Sequence, residues 1–109
     1  MSFKKIDWTD EEIAEFWHYW RSRPQDYFSE LYGDTISTFS RKQYGNLGTV
    51  LDFGAGTGGL LAGLSRAAIK CYGLEFDDEG VGALKKRFAD DQNVGGIIQA
   101  EEIEGYAGY

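Results

Sequence analysis

Between Val50 and Leu61 the chain reads VLDFGAGTGGLL. A short apolar run carrying one acid, Asp52, enters a turn with glycine at 54, 56, 58 and 59, and an apolar run follows. Glycine reaches left-handed backbone conformations without a Cβ penalty and lets another group approach the main chain closely. Thr49 to Phe53 reads as a strand, Gly54 to Gly59 as a loop and Leu60 to Ala68 as a helix. Ile69 to Phe76 then reads as a strand, Asp78 to Asp90 as a helix with Val81, Leu84 and Phe88 on one face, and Val94 to Ala100 as a third strand. Strands alternating with helices predict an α/β fold with a parallel sheet. Such sheets bind ligands at the carboxyl ends of their strands, where the glycine loop lies.

The residues ahead of Gly48 read as helices. Thr9 and Glu12 have the spacing of a capping box, and Ile13, Phe16, Trp17 and Trp20 recur at helical spacing until Pro24 stops the pattern near Arg23. A second helix is expected over Gln25 to Tyr32, closed by Gly33. A third is expected over Thr35 to Tyr44, capped by Asp34 and closed by Gly45. The aromatic stripe of the first helix is expected in the core, and His18 on its solvent-facing flank. The chain thus divides into a helical leader, residues 1–47, and an α/β unit, residues 48–109. The tail from Glu101 to Tyr109 carries no clear pattern.

Composition narrows the partners. The formal net charge of −7 disfavours a phosphate backbone as partner. The single cysteine, Cys71, sits in an apolar run and excludes an intramolecular disulfide. The N-terminus lacks the apolar core of a signal peptide, and no run approaches the ~20 apolar residues that cross a bilayer. A cytoplasmic protein without membrane contact is expected, and no metal site is assigned.

Gly54, Gly56 and Gly59 satisfy the dinucleotide pattern G-x-G-x-x-G, with Glu75 at the end of the second strand to hold a ribose. Asp52 argues against a diphosphate there. Two like charges at ~4 Å repel by about 4 kcal/mol at an effective dielectric near 20. A ligand presenting an ammonium is favoured instead. S-adenosylmethionine does so, and its carboxylate suits the loop amides and the helix N-terminus.

VLDFGAGTG resembles motif I of the class I S-adenosylmethionine-dependent methyltransferases, V-L-D-x-G-x-G-x-G, through Asp52, Gly54, Gly56 and Gly58. CYGLEF resembles their second motif, which implies that Glu75 holds the ribose and Phe76 flanks adenine. IIQAEEI resembles the third-strand motif, with Gln99 where the family often has an acid and Ala100 after it, which implies adenine contacts at both. Ala55, inside the turn, joins the implied cofactor set. The stretch before the glycine motif is similar to the helical leader of some bacterial members, whose helices pack over the cofactor site. Core packing is the first expectation for Tyr27 and Phe28; the resemblance implies a contribution of both to the pocket as the alternative, where an aromatic face near a sulfonium is favourable by roughly 0.5–2 kcal/mol.

The resemblance implies a Rossmann-like three-layer sandwich, incomplete at about three parallel strands, with a helical leader. It implies a methyltransferase, or its N-terminal cofactor-binding portion, acting on a small molecule. No residue is assigned as catalytic base. The first strand, central in the family, is left at an edge, which invites pairing with a second copy of the chain or covering by its tail and leader. The alternatives are a nicotinamide- or flavin-dependent oxidoreductase domain, and a non-enzymatic truncated fold serving as an oligomerisation module.

Overall fold

A computed structural model describes residues 5–106. The elements are α1 (Asp10–Ser22), a 3-10 turn (Pro24–Asp26), α2 (Phe28–Tyr44), β1 (Val50–Phe53), α3 (Gly59–Arg66), β2 (Cys71–Glu75), α4 (Asp78–Arg87), β3 (Val94–Gln99) and a 3-10 stretch (Ala100–Tyr106). Of the unpatterned tail, residues 107–109 lie outside the described residues.

The three strands are parallel in the order β1-β2-β3, with Asp52 beside Gly73 and Glu75 beside Gln99. The carboxyl ends of the strands therefore bring Asp52, Glu75 and Gln99 to one rim. On one sheet face, Cys71 and Ile97 meet Leu61, Leu64, Val81, Leu84 and Phe88 of the α3 and α4 layer. Gly73 lets α3 sit close: a Cβ there would stand 2.7 Å from Leu61 Cδ1. Leu51 and Phe53 point to the other face and are exposed, Phe53 at 66%. Among the described residues β1 is an edge strand.

The leader departs from the sequence reading at Gly33. The second and third helices are one continuous α2, and Gly33 lies inside it instead of closing a helix. Tertiary contact overrides the local signal. A Cβ on Gly33 would lie 2.3 Å from the Gly59 carbonyl oxygen, and one on Gly63 would lie 2.4 Å from the Gly33 carbonyl. With Ser29 and Ser37 also buried, α2 presents a small-residue face to α3. Asp34, expected as a cap, instead pairs with Arg66 of α3 at 2.7 Å.

α1 starts as expected: the Glu12 amide donates to Thr9 Oγ1 and the Thr9 amide to Glu12 Oε1, each at 3.1 Å. Its aromatic stripe does not form a core, because α1 contains no buried residue. Ile13, Phe16 and Tyr19 are exposed, while Trp17 and Trp20 are half-buried. No helix among the described residues is long and apolar enough to cross a membrane.

Candidate cofactor site

The glycine turn is shaped by three left-handed residues. Gly54, Gly56 and Gly58 have φ of 77°, 59° and 95°, a region costly for side chains. Gly59 has an ordinary φ, and its constraint is space: a Cβ would stand 2.3 Å from the Glu30 amide nitrogen at the start of α2. The turn conformation thus falls on the 54-56-58 spacing, and the fourth glycine serves helix packing.

The turn satisfies most of its own amides. Those of Gly54 and Ala55 both donate to the Leu74 carbonyl at 2.9 Å, and that of Gly58 to the Ala55 carbonyl at 3.0 Å. Ala55 is buried, so its side chain is part of the core. The Gly56 amide donates to Glu75 Oε2 at 2.7 Å, and Glu75 Oε1 accepts from the Phe76 amide at 2.8 Å. Glu75, only 9% exposed, is therefore fixed by two backbone donors, one of them in the turn. Each carboxylate oxygen can accept a further hydrogen bond, which suits a pair of vicinal hydroxyls.

Asp52 stands differently. Its side chain lies on the helix-covered side of β1, half-buried, and among the described residues no donor reaches it. Burial pushes its carboxyl above the usual carboxylate range, and the nearby Glu75 charge pushes the same way. A desolvated acid beside a second acid, with no protein cation or donor, is costly when ionised. A ligand ammonium would supply the missing partner. The Gly56 amide of the turn is held by Glu75, not by Asp52.

Aromatic residues of the leader roof the turn. From the Cβ position of Gly56, Tyr27 Cε1 is 3.6 Å away and Trp17 Cζ3 3.8 Å away. The two rings meet edge to face at 5.9 Å. Burial raises the Tyr27 hydroxyl pKa, and the Glu75 charge adds to it, so the group stays protonated near neutrality. Phe28, by contrast, is 57% exposed. α1 is tied to α4 by Arg21, whose guanidinium donates to Asp77 at 2.7 Å, and by His18 at 3.3 Å from Glu79. His18 is exposed, as expected.

The adenine side is more open. Phe76 is 54% exposed and stacks edge to face on Phe53 at 5.4 Å. Gln99 donates its amide to Asp78 Oδ1 at 2.7 Å, which leaves its carbonyl oxygen as the acceptor. Ala100 begins the 3-10 stretch. Cys71 is buried, and burial together with the Asp91 and Asp52 charges lifts its thiol to about 11, so no thiolate is available.

No protein-family model and no curated protein matches the chain in sequence. Solved structures do match in fold. A Methanococcus maripaludis protein assigned to the S-adenosyl-L-methionine-dependent methyltransferases aligns with 92% of this chain and 45% of its own, at 21% identity and a TM-score of 0.61. The glycopeptide N-methyltransferase MtfA, in its complex with S-adenosyl-L-methionine, aligns over 62% of this chain and 32% of its own, at 22% identity and 0.55. DesVI of Streptomyces venezuelae aligns over 87% and 37%, at 17% identity and 0.55. The chain thus spans less than half the length of each. It has the fold of the class I S-adenosylmethionine-dependent methyltransferases, a Rossmann-like α/β unit with three parallel strands and a helical N-terminus.

Proposed function

We propose that this chain is the cofactor-binding part of an S-adenosylmethionine-dependent methyltransferase acting on a small molecule. The observation that carries the reading is Asp52: a half-buried carboxylate that no donor among the described residues reaches, raised by burial and by Glu75, at the carboxyl rim of the sheet. An ammonium relieves that arrangement and a diphosphate aggravates it.

The residues present fit the methyl donor. Asp52 would take the ammonium. The left-handed turn at Gly54, Gly56 and Gly58 leaves room at the backbone, and a Cβ on Gly54 would meet nothing within 4 Å. The amino end of α3, which lacks a side-chain cap, would face the carboxylate. Glu75, preset by the Gly56 and Phe76 amides, would accept the ribose hydroxyls. Phe76 and the Gln99 carbonyl would border adenine, with the Ala100 amide beside them.

When bound, the donor supplies an activated methyl group on a sulfonium centre. The chain's own contribution is to orient that donor and to exclude water from it with Trp17 and Tyr27. No group here is assigned to take a proton from the acceptor. The acidic balance supports a small-molecule acceptor over a nucleic acid, and residues 1–47 act as a leader closing the site. The open edge of β1 supports self-association through that strand. A mass that stays monomeric as concentration rises overturns that part.

Calorimetric titration with S-adenosylhomocysteine and, separately, with a nicotinamide dinucleotide tests the reading. The expected outcome is binding of the first alone, weakened by about 1–3 kcal/mol in Glu75→Gln through loss of charge-assisted hydrogen bonds. Binding of the dinucleotide alone would transfer the chain to the oxidoreductases.

A further inference from the structure

Thr57 sits in the middle of the glycine turn and is buried at 8% exposure, yet it is gripped by side chains from two distant helices. Arg87, at the last turn of α4, donates from Nη1 to the Thr57 carbonyl at 2.8 Å. Glu30, in the first turn of α2, accepts from the Thr57 hydroxyl at 3.3 Å. The two side chains also bind each other as a fork: Nη2 donates to Glu30 Oε2 at 3.0 Å, and Nη1 bonds Oε1. The Arg87 guanidinium lies 5.2 Å from the centre of the Phe88 ring. That ring in turn abuts the next turn residue, since a Cβ on Gly58 would stand 2.7 Å from Phe88 Cε2.

We infer that Arg87 and Glu30 are a positioning pair that clasps Thr57 and holds the glycine turn in its ligand-ready shape. This rests on the reading of the turn as the cofactor site. Two adjoining residues are held independently, Gly56 through its amide by Glu75 and Thr57 through its carbonyl and hydroxyl by the pair. Two of the turn's three left-handed glycines are at these anchors: Gly56 carries the first and Gly58 directly follows the second. An exposed ion pair contributes little. This one is partly withdrawn from water, with side-chain exposures of 34% for Arg87 and 16% for Glu30, and its geometry is bidentate. The pair also makes α2 a part of the site: the leader reaches the turn through Glu30, and α4 through Arg87.

The pair is separable from a plain stabilising salt bridge. In the charge-swapped double variant Glu30→Arg/Arg87→Glu the ion pair is re-formed, but a carboxylate at 87 cannot donate to the Thr57 carbonyl. The clasp predicts that this variant regains most of the melting temperature lost in Arg87→Met, while its affinity for S-adenosylhomocysteine stays reduced. In Arg87→Met the loss is about tenfold, as for one charge-assisted hydrogen bond. Arg87→Lys, which keeps the charge but not the fork, serves if Arg87→Met does not fold, with an expected loss of about threefold. Amide hydrogen exchange at Gly56 and Gly58 should quicken in each variant. Wild-type affinity together with wild-type exchange in Arg87→Lys and in the swapped pair overturns the proposal. If the wild-type chain takes up no S-adenosylhomocysteine, the cofactor reading fails, and the exchange rates alone decide whether the pair holds the turn.

Discussion

From Val50 to Gln99 most of the large aliphatic residues are sealed: Leu61, Leu74, Leu84 and Ile98 are among the fully buried side chains, and Leu51, on the face of β1 away from α3, is the exposed exception. In α1 and α2 the opposite holds. Ile13, Phe16, Phe28, Leu31, Tyr32, Ile36 and Phe39 all stand open to solvent. Those of α2 fall at helical spacing, on a stripe away from the buried Ser29, Gly33 and Ser37. Both regions have amphipathic helices, but they are attached differently. The α/β unit is held by its core. The leader is held by close backbone approach of α2 to α3 and by polar links, Arg21 to Asp77, Asp34 to Arg66 and Glu30 to Arg87. Apolar periodicity therefore marks a face without saying whether the face is covered.

That contrast breaks most sharply at the helix contact. Gly33→Leu should cost about 4 kcal/mol or more, because even a Cβ collides with backbone that cannot turn aside. Urea unfolding with a lost or split transition is the expected signature. Next in size is Leu61→Ala in the sealed core, at ~2–5 kcal/mol by the same measurement. Asp52→Asn should move stability the other way and by less. The Asp52 carboxyl is raised in the folded chain, so its ionisation favours the unfolded state, and this cost sets in as pH rises through the raised value. Thermal melting should then show Asp52→Asn above wild type at neutral pH, with the gap closing in acid. Smallest is Phe39→Ser on the open stripe of α2, within about 0.5 kcal/mol. A loss comparable to that of Leu61→Ala would mean that the stripe is covered in solution.

The same contrast explains what could be read from sequence. In the α/β unit each local signal agrees with its surroundings: β1, β2, β3 and α4 lie within a few residues of the expected spans, and Val81, Leu84 and Phe88 line one buried face. The turn was legible because three left-handed residues in five leave glycine little competition. Gly33 misled because a helix-closing glycine and a helix-packing glycine look alike until the neighbour at Gly59 is known. The α1 stripe misled for the reason given above. The spacing of Glu75 from the turn points to a ribose ligand, but its bond to the Gly56 amide depends on a register set by sheet pairing and leaves no mark in the sequence. The Glu30–Arg87 contact spans 57 residues, and no local pattern announces it.

On the proposed function, Asp52 awaits a cation brought by the ligand. The direct test is the pH dependence of S-adenosylhomocysteine affinity in wild type and Asp52→Asn. Wild-type affinity should be highest near neutrality and should fall as the medium is acidified, beginning above the range of an ordinary aspartate because burial and Glu75 raise this carboxyl. In Asp52→Asn the affinity should be weaker at neutral pH and flat through that range. Parallel curves of equal strength would mean that the ligand does not meet this carboxylate, and the account would be wrong.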